Sequence, residues 1–252
     1  MSSISPTAIT PRGIEIDEAS GAPFAAVDVA RRLLRTTSVV ALATIDSGSG
    51  YPYSTVTNVA IEPDGTPYFF AAWLALHARN IDADPRISMT MAEEHTTDAL
   101  VTPRLTLVGR ATQMSPEEVE RATPRFLRRF PKSKLYLALP DAMLFRMQVE
   151  GLQLNGGPAR NANSDLTPAI LRTDLTGTET LMAAESEEIE RLNALDGGAS
   201  RLATRAGAPA GRWRATGYDP DGLDLSSADN TARLLFGRRV TSVAELRQVL
   251  AL

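Results

Sequence analysis

The stretch that decides the fold lies at residues 41–89 and reads ALATIDSGSGYPYSTVTNVAIEPDGTPYFFAAWLALHARNIDADPRISM. Two runs rich in valine, alanine, threonine and isoleucine occupy residues 38–45 and 51–61, and a turn of Asp, Ser and Gly at 46–50 joins them. β-Branched residues on both sides of a short polar turn are typical of a hairpin. The first two strands are therefore predicted to pair with each other.

A second turn and a short helix follow the hairpin. Residues 62–65 read EPDG, with proline at the second position and glycine at the last, as in a type I turn, and they lead into a third strand at 67–72. Residues 74–83 lose the alternating pattern and end at Asp84-Pro85, where proline prevents a helix from continuing. We expect a short helix that crosses one end of a barrel.

Three more strands and two more helices are predicted outside this stretch. Residues 87–91 and 105–111 have strand composition, and residues 145–154 alternate apolar with polar side chains. Apolar residues recur at helical spacing over 24–35. The sequence SPEE at 115–118 combines a helix cap, a proline at the first helical position and a glutamate that completes a capping box. The sequence thus predicts six strands with helices between them.

The last third of the chain is predicted to form a separate domain. Residues 155–167 are rich in Gly, Asn and Pro and resemble a linker. A long helix is expected over 179–195, a second near 199–206, then three short strands broken at 219–222, and a final helix opened by the capping pattern at 242–245. We divide the chain into a flexible N-terminal segment, a barrel domain and a small α+β domain, at residues 1–22, 23–160 and 168–252.

Composition excludes several function classes. The chain has 252 residues, of which 43% are hydrophobic and 22% charged, so it can bury a core without a metal or a disulfide. A net charge of −4 provides no field that would attract nucleic acid or anionic lipid. The absence of cysteine removes thiolate nucleophiles and cysteine-ligated metals. With no leader pattern and no apolar run of membrane-spanning length, we expect a cytoplasmic protein without nucleic-acid or membrane partners.

Few residues could carry chemistry. Only two histidines are present, His77 and His95, so a multi-histidine metal site is poorly supported and no metal is expected. No nucleophile elbow, Walker A loop or Gly-x-Gly-x-x-Gly occurs. What remains is the short helix at 74–83, whose free N–H groups, together with His77 and Arg79, suit an anion. The alternative is that these are ordinary surface residues.

A basic cluster lies at residues 121–134, within and after the helix that begins at 115. Its helical spacing favours a solvated helix face, and the other interpretation is a surface that binds a phosphate or a partner.

The succession quoted above resembles the core of the FMN-binding split barrels related to pyridoxamine 5′-phosphate oxidase. More narrowly, LALHARNIDADPR at 74–86, PRLTLVGRA at 103–111 and YDPDGLDL at 218–225 are similar to the branch that includes HugZ-type haem-degrading proteins and plant glutamyl-tRNA-reductase-binding proteins. The resemblance runs in order over residues 25–250. It implies an α+β fold in which a six-stranded antiparallel split β-barrel of the FMN-binding type precedes a small α+β domain.

The resemblance also implies a site. In the flavin-binding relatives, the second strand and the short helix after the third strand hold the phosphate of FMN, and the ligand lies at the interface of a homodimer. Arg104 corresponds to a position that reaches the flavin ring, and Arg160 is retained in NGGPARN at 155–161. Carried over by position, the phosphate contacts are Ser54, Thr55, Asn58, His77, Arg79 and Asn80.

Departures from the family keep three functions open. Thr55, Ala60, Leu76 and His77 stand where the oxidase has cationic phosphate contacts, so true pyridoxamine phosphate oxidation is not expected. Nothing after His95 is a histidine, which disfavours haem. The favoured function is a flavin-dependent oxidoreductase of unknown substrate and unknown catalytic residues. The alternatives are haem binding or degradation, and a non-catalytic partner-binding module like the reductase-binding proteins.

Overall fold

The computed structural model describes residues 25–93, 98–157 and 166–251. The predicted N-terminal segment at 1–22 lies outside the described residues. The chain divides into two compact units, the first made of residues up to 59 with 67–113 and 141–171, and the second of residues 60–66, 114–140 and 172–252. The second unit therefore includes two segments that precede the predicted domain boundary.

The first unit contains a closed antiparallel barrel with the strand order β1-β2-β3-β6-β5-β4. This confirms the predicted fold class, an α+β chain with a six-stranded barrel followed by a small α+β region. The strands are β1 (Val39–Ile45), β2 (Pro52–Ile61), β3 (Pro67–Ala72), β4 (Arg86–Ala92), β5 (Arg104–Gln113) and β6 (Ala142–Asn155).

Alternation along the strands fills the barrel. In β4 and β5, buried residues alternate with partly exposed ones, so that every second side chain faces inward. Phe69 and Phe145 pair across β3 and β6, and their rings stack with centroids 5.6 Å apart. Other large buried side chains on the inner face of the barrel include Leu42, Met89, Met91, Leu105, Leu107 and Met147.

Two helices accompany the barrel, α1 (Ala26–Thr36) and α2 (Leu76–Ala83). The apolar stripe of α1 buries Ala30, Leu33 and Leu34. Helix α2 ends at Asp84, directly before Pro85, as the sequence predicts.

The second unit is built on a three-stranded antiparallel sheet ordered β7 (Arg214–Asp219), β8 (Gly222–Ser226) and β9 (Thr231–Leu235). Its helices are α3 (Pro116–Arg129), α4 (Lys134–Leu137), α5 (Glu179–Ala183), α6 (Glu185–Ala194), α7 (Gly198–Arg205) and α8 (Val243–Val249). The predicted helix over 179–195 is thus two helices. They separate at Ala184, whose ψ of 1° departs from α-helical geometry, and Glu185 accepts the backbone N–H of Tyr218 at 3.1 Å.

The basic cluster at 121–134 is only partly a solvated face. Arg125 on α3 is 7% exposed and forms ion pairs with Glu185 and Asp224. The expectation of a solvated face is therefore wrong at Arg125, because the helix turns this residue toward carboxylates of its own unit. Arg121, one turn earlier, is exposed as expected.

No helix among the described residues has the length and apolar content needed to cross a membrane. Within the same residues, no group of three or more His, Cys, Asp or Glu side chains could hold a metal ion.

Candidate functional site

A side-chain hydrogen bond from Asn80 connects α2 to the barrel. Its side chain is completely buried, and its amide nitrogen donates to the Thr44 hydroxyl of β1 at 3.0 Å. Buried polar groups need such partners, so this bond fixes the helix beside the end of β1. Of the predicted phosphate contacts, Asn80 is therefore placed beneath the surface, where it positions α2.

His77 lies one turn before Asn80 and is half-buried. Its Nε2 atom is buried and has no hydrogen-bond partner within the described chain. Burial lowers the pKa of the imidazole below its ordinary value, so His77 is neutral near pH 7. It supplies no positive charge for an anion at that pH.

Arg79 supplies the positive charge on α2. It is exposed, and its guanidinium forms no ion pair with any residue in 25–93, 98–157 or 166–251. Around it the β3–α2 connection exposes apolar side chains, Trp73 at 44% and Leu74 at 81%. A free cation beside apolar surface is suited to an anionic group on an organic ligand.

On β2, the predicted contacts divide between two faces. Ser54 and Asn58 are exposed and lie on one side of the strand, whereas Thr55 lies on the other side with Leu42 as its cross-strand neighbour. We call the side of Ser54 the outer face. Between the levels of Arg86 and Arg104, the residues of β1, β2, β4 and β5 on this face are uncharged: Val39, Ala41, Ala43, Ser54, Val56, Asn58, Ser88, Thr90, Thr106 and Val108.

Arg104 opens β5 on the same outer face. It pairs in register with Ala92 of β4 and Asn155 of β6, and it is half-buried. Like Arg79, it has no ion-pair partner elsewhere in the described chain. At this edge, the outer face therefore presents a guanidinium that no described residue pairs with.

The predicted residues gather at two opposite ends of the barrel. Ser54 is level with Ala43, next to the Thr44 that binds Asn80, so it belongs to the α2 end. The strand registers place Arg104 and Asn58 level with Val39, at the other end of the barrel. Val39 is five residues from Thr44 along β1, a distance of about 17 Å. One protomer does not bring the two arginines together. Arg160 lies outside the described residues.

Sequence reasoning missed the exposed apolar residues beside these groups. Val39 and Val56 are 47% and 70% exposed on the outer face, and Leu100 and Val101 are 72% and 56% exposed just before Arg104. The signal for the two valines was available, because the same alternation that buries Leu42 turns Val39 and Val56 outward. Exposed apolar patches of this kind mark interaction surfaces.

Comparisons with known proteins support the fold and identify a family. The Agrobacterium tumefaciens protein Atu2129, of unknown function, is 54% identical, with a TM-score of 0.87 over 98% of this chain and 99% of that one. A heme binding protein from Mycobacterium smegmatis is alike in fold, at 24% identity and a TM-score of 0.54, over 91% of this chain and 96% of that one. A search of curated proteins found no match. The β-barrel model of the CREG family matches residues 23–157, more than half of the chain, so the chain belongs to the CREG β-barrel family.

Proposed function

We propose that the protein is a homodimer that binds a flavin of the FMN type between its two copies and acts as a flavin-dependent oxidoreductase. One observation carries the proposal. Arg79 and Arg104 have no ion-pair partner among the described residues, and α2, which carries Arg79, lies at the opposite end of the barrel from Arg104. A ligand with an anionic group at one end and a polar ring at the other needs both arginines, one for each group.

A second copy brings the two ends together. In a two-fold dimer the same patch is used twice, so the α2 end of one protomer can face the Arg104 end of its partner. The outer face suits this role because its residues between the two ends carry no charge and because Val39 and Val56 on it are exposed. The site is incomplete in one protomer, because about 17 Å separate its two ends along the strands.

The residues present fit a flavin phosphate, with fewer cations than the oxidase. The Ser54 hydroxyl and the Arg79 guanidinium can hold the phosphate, while His77 is neutral near pH 7 and Thr55 lies on the other side of β2. We therefore expect weaker flavin binding than in the oxidase. A bound flavin supplies the redox chemistry, and the protein's part is to orient it and to cover it from water.

Haem binding is the second candidate, because the Mycobacterium smegmatis protein of similar fold is a heme binding protein. The described residues offer one histidine to an iron, His77, and its Nε2 atom is buried. Haem would therefore require α2 to shift, whereas a flavin phosphate at Arg79 would not.

The test is a titration of the purified protein with FMN, followed by fluorescence, with the mass checked by light scattering. Replacing Arg79 by Ala should weaken FMN binding by about 1 to 3 kcal/mol, the usual loss for a charged hydrogen bond. Arg212→Ala, which removes an exposed arginine of the second unit, is the matched control and should leave the affinity unchanged.

Two results would overturn the proposal. Equal affinities of wild type and Arg79→Ala would remove Arg79 from the site. A dimer that binds neither FMN nor haemin would favour the partner-binding module instead.

A further inference from the structure

The surroundings of Arg104 point to a class of substrate. Arg104 is half-buried and has no counter-ion among residues 25–93, 98–157 and 166–251. The residues just before it expose Leu100 and Val101, and Val39, on the same level of the outer face, is 47% exposed. The arrangement is one free cation beside an apolar surface.

Specific contacts hold the segment that carries Leu100 and Val101. The Asp98 carboxylate accepts the backbone N–H of Leu100 at 2.8 Å, and the Asp98 carbonyl accepts the Thr102 hydroxyl at 2.7 Å. Two apolar side chains that protrude from an anchored turn form a fixed platform.

The same segment is packed against β6 beside the register partner of Arg104. Gly157 has a φ of +100°, and a Cβ built on it would lie 3.0 Å from the Val101 carbonyl oxygen. The Gly157 N–H donates to the Asn155 side chain at 2.9 Å, and Asn155 pairs with Arg104. These contacts place the platform beside the end of the β5–β6 pair that carries Arg104.

A guanidinium without a counter-ion is well matched by a carboxylate, which accepts two parallel hydrogen bonds from it. We propose that the substrate of this site is an organic acid with an apolar body, whose carboxylate pairs with Arg104 and whose body lies on Leu100 and Val101. The inference rests on the proposed function, in which the flavin ring lies near Arg104 and supplies the reacting face. An amine would forgo the ion pair with Arg104, and a small polar substrate would forgo the apolar contact.

The probes are benzoate and its neutral analogue benzamide, each titrated calorimetrically into the flavin-free dimer and the FMN-loaded dimer. We expect benzoate to bind about tenfold more tightly than benzamide, because a charged hydrogen-bond pair can contribute that difference in binding free energy. Arg104→Gln should abolish this preference, Arg104→Lys should retain part of it, and Leu100→Ser should weaken both probes. Arg212→Gln is the control.

The outcomes separate this inference from the proposed function. Equal binding of the two probes, or a benzoate preference that survives Arg104→Gln, overturns the assignment of an organic acid even if FMN binds. A benzoate preference that depends on Arg104, in a protein that does not bind FMN, supports the acid site and contradicts the flavin.

Discussion

Replacing Arg125 with methionine is expected to destabilise the second unit by about 3 to 5 kcal/mol, the usual cost of removing one partner of a buried ion pair. Its guanidinium pairs with Glu185 and with Asp224, the latter at 3.0 Å. It also donates to the carbonyl oxygens of Ile61 and Tyr218, at 2.9 and 3.0 Å. Methionine keeps the apolar stem of the side chain but removes the guanidinium, which leaves these acceptors without a donor and without a positive charge.

The two tryptophans allow the effect to be measured in this unit alone. Trp213 is 7% exposed in the second unit, and Trp73 is 44% exposed in the first, so Trp73→Phe leaves fluorescence that reports on the second unit. Urea unfolding in that background should show a lower midpoint for Arg125→Met and an unchanged one for Arg121→Met, an exposed arginine of the same helix. Equal midpoints for the two variants would show that the buried pairs contribute little.

Replacing Gly109 with alanine should have the second large effect, in the first unit. A Cβ built on Gly109 would lie 1.9 Å from the Gln148 carbonyl oxygen, far inside van der Waals contact. The register between β5 and β6 shifts at this point, so that Val108 faces Gly151 and Gly109 faces Val149, with Glu150 as the extra residue. An alanine would force the two backbones apart at this bulge, at a cost of about 3 kcal/mol, the upper end of the usual range for overpacking.

Trp73 fluorescence in a Trp213→Phe background can follow this change. Gly48→Ala is the matched control, because its Cβ would lie an ordinary 3.5 Å from the Asp46 carboxylate. The Gly109 variant should unfold at a markedly lower urea concentration than the Gly48 variant. Similar midpoints would mean that the bulge can relax around a methyl group.

Local sequence signals predicted most of the barrel and the start of α3 in the second unit. The Ser115 cap formed as expected, since its hydroxyl accepts the Glu118 N–H and the Glu118 carboxylate accepts the Ser115 N–H. The hairpin of β1 and β2 and the end of α2 before Pro85 also followed from turn and proline chemistry. These features depend on neighbours within a few residues, which the sequence displays directly.

Features that depend on distant neighbours could not be predicted. Nothing near Arg125 in sequence shows that Asp224, ninety-nine residues later, lies beside it. Likewise, the candidate site residues were carried over by position. Only the strand registers show that Thr55 and Ser54 lie on opposite faces of β2, and that Arg104 lies at the other end of the barrel from Arg79. Register is a tertiary property, and a shift of one residue exchanges the two faces.

A mixed dimer tests the central claim, a flavin site shared between two copies, most directly. Arg79→Ala and Arg104→Ala chains carrying different tags would be produced together, and the heterodimer would be purified through both tags and titrated with FMN. Each homodimeric variant should bind weakly at both sites, whereas one site of the heterodimer retains Arg79 from one chain and Arg104 from the other. We predict one site of wild-type affinity per heterodimer. A heterodimer that binds no better than either homodimeric variant would contradict the shared site.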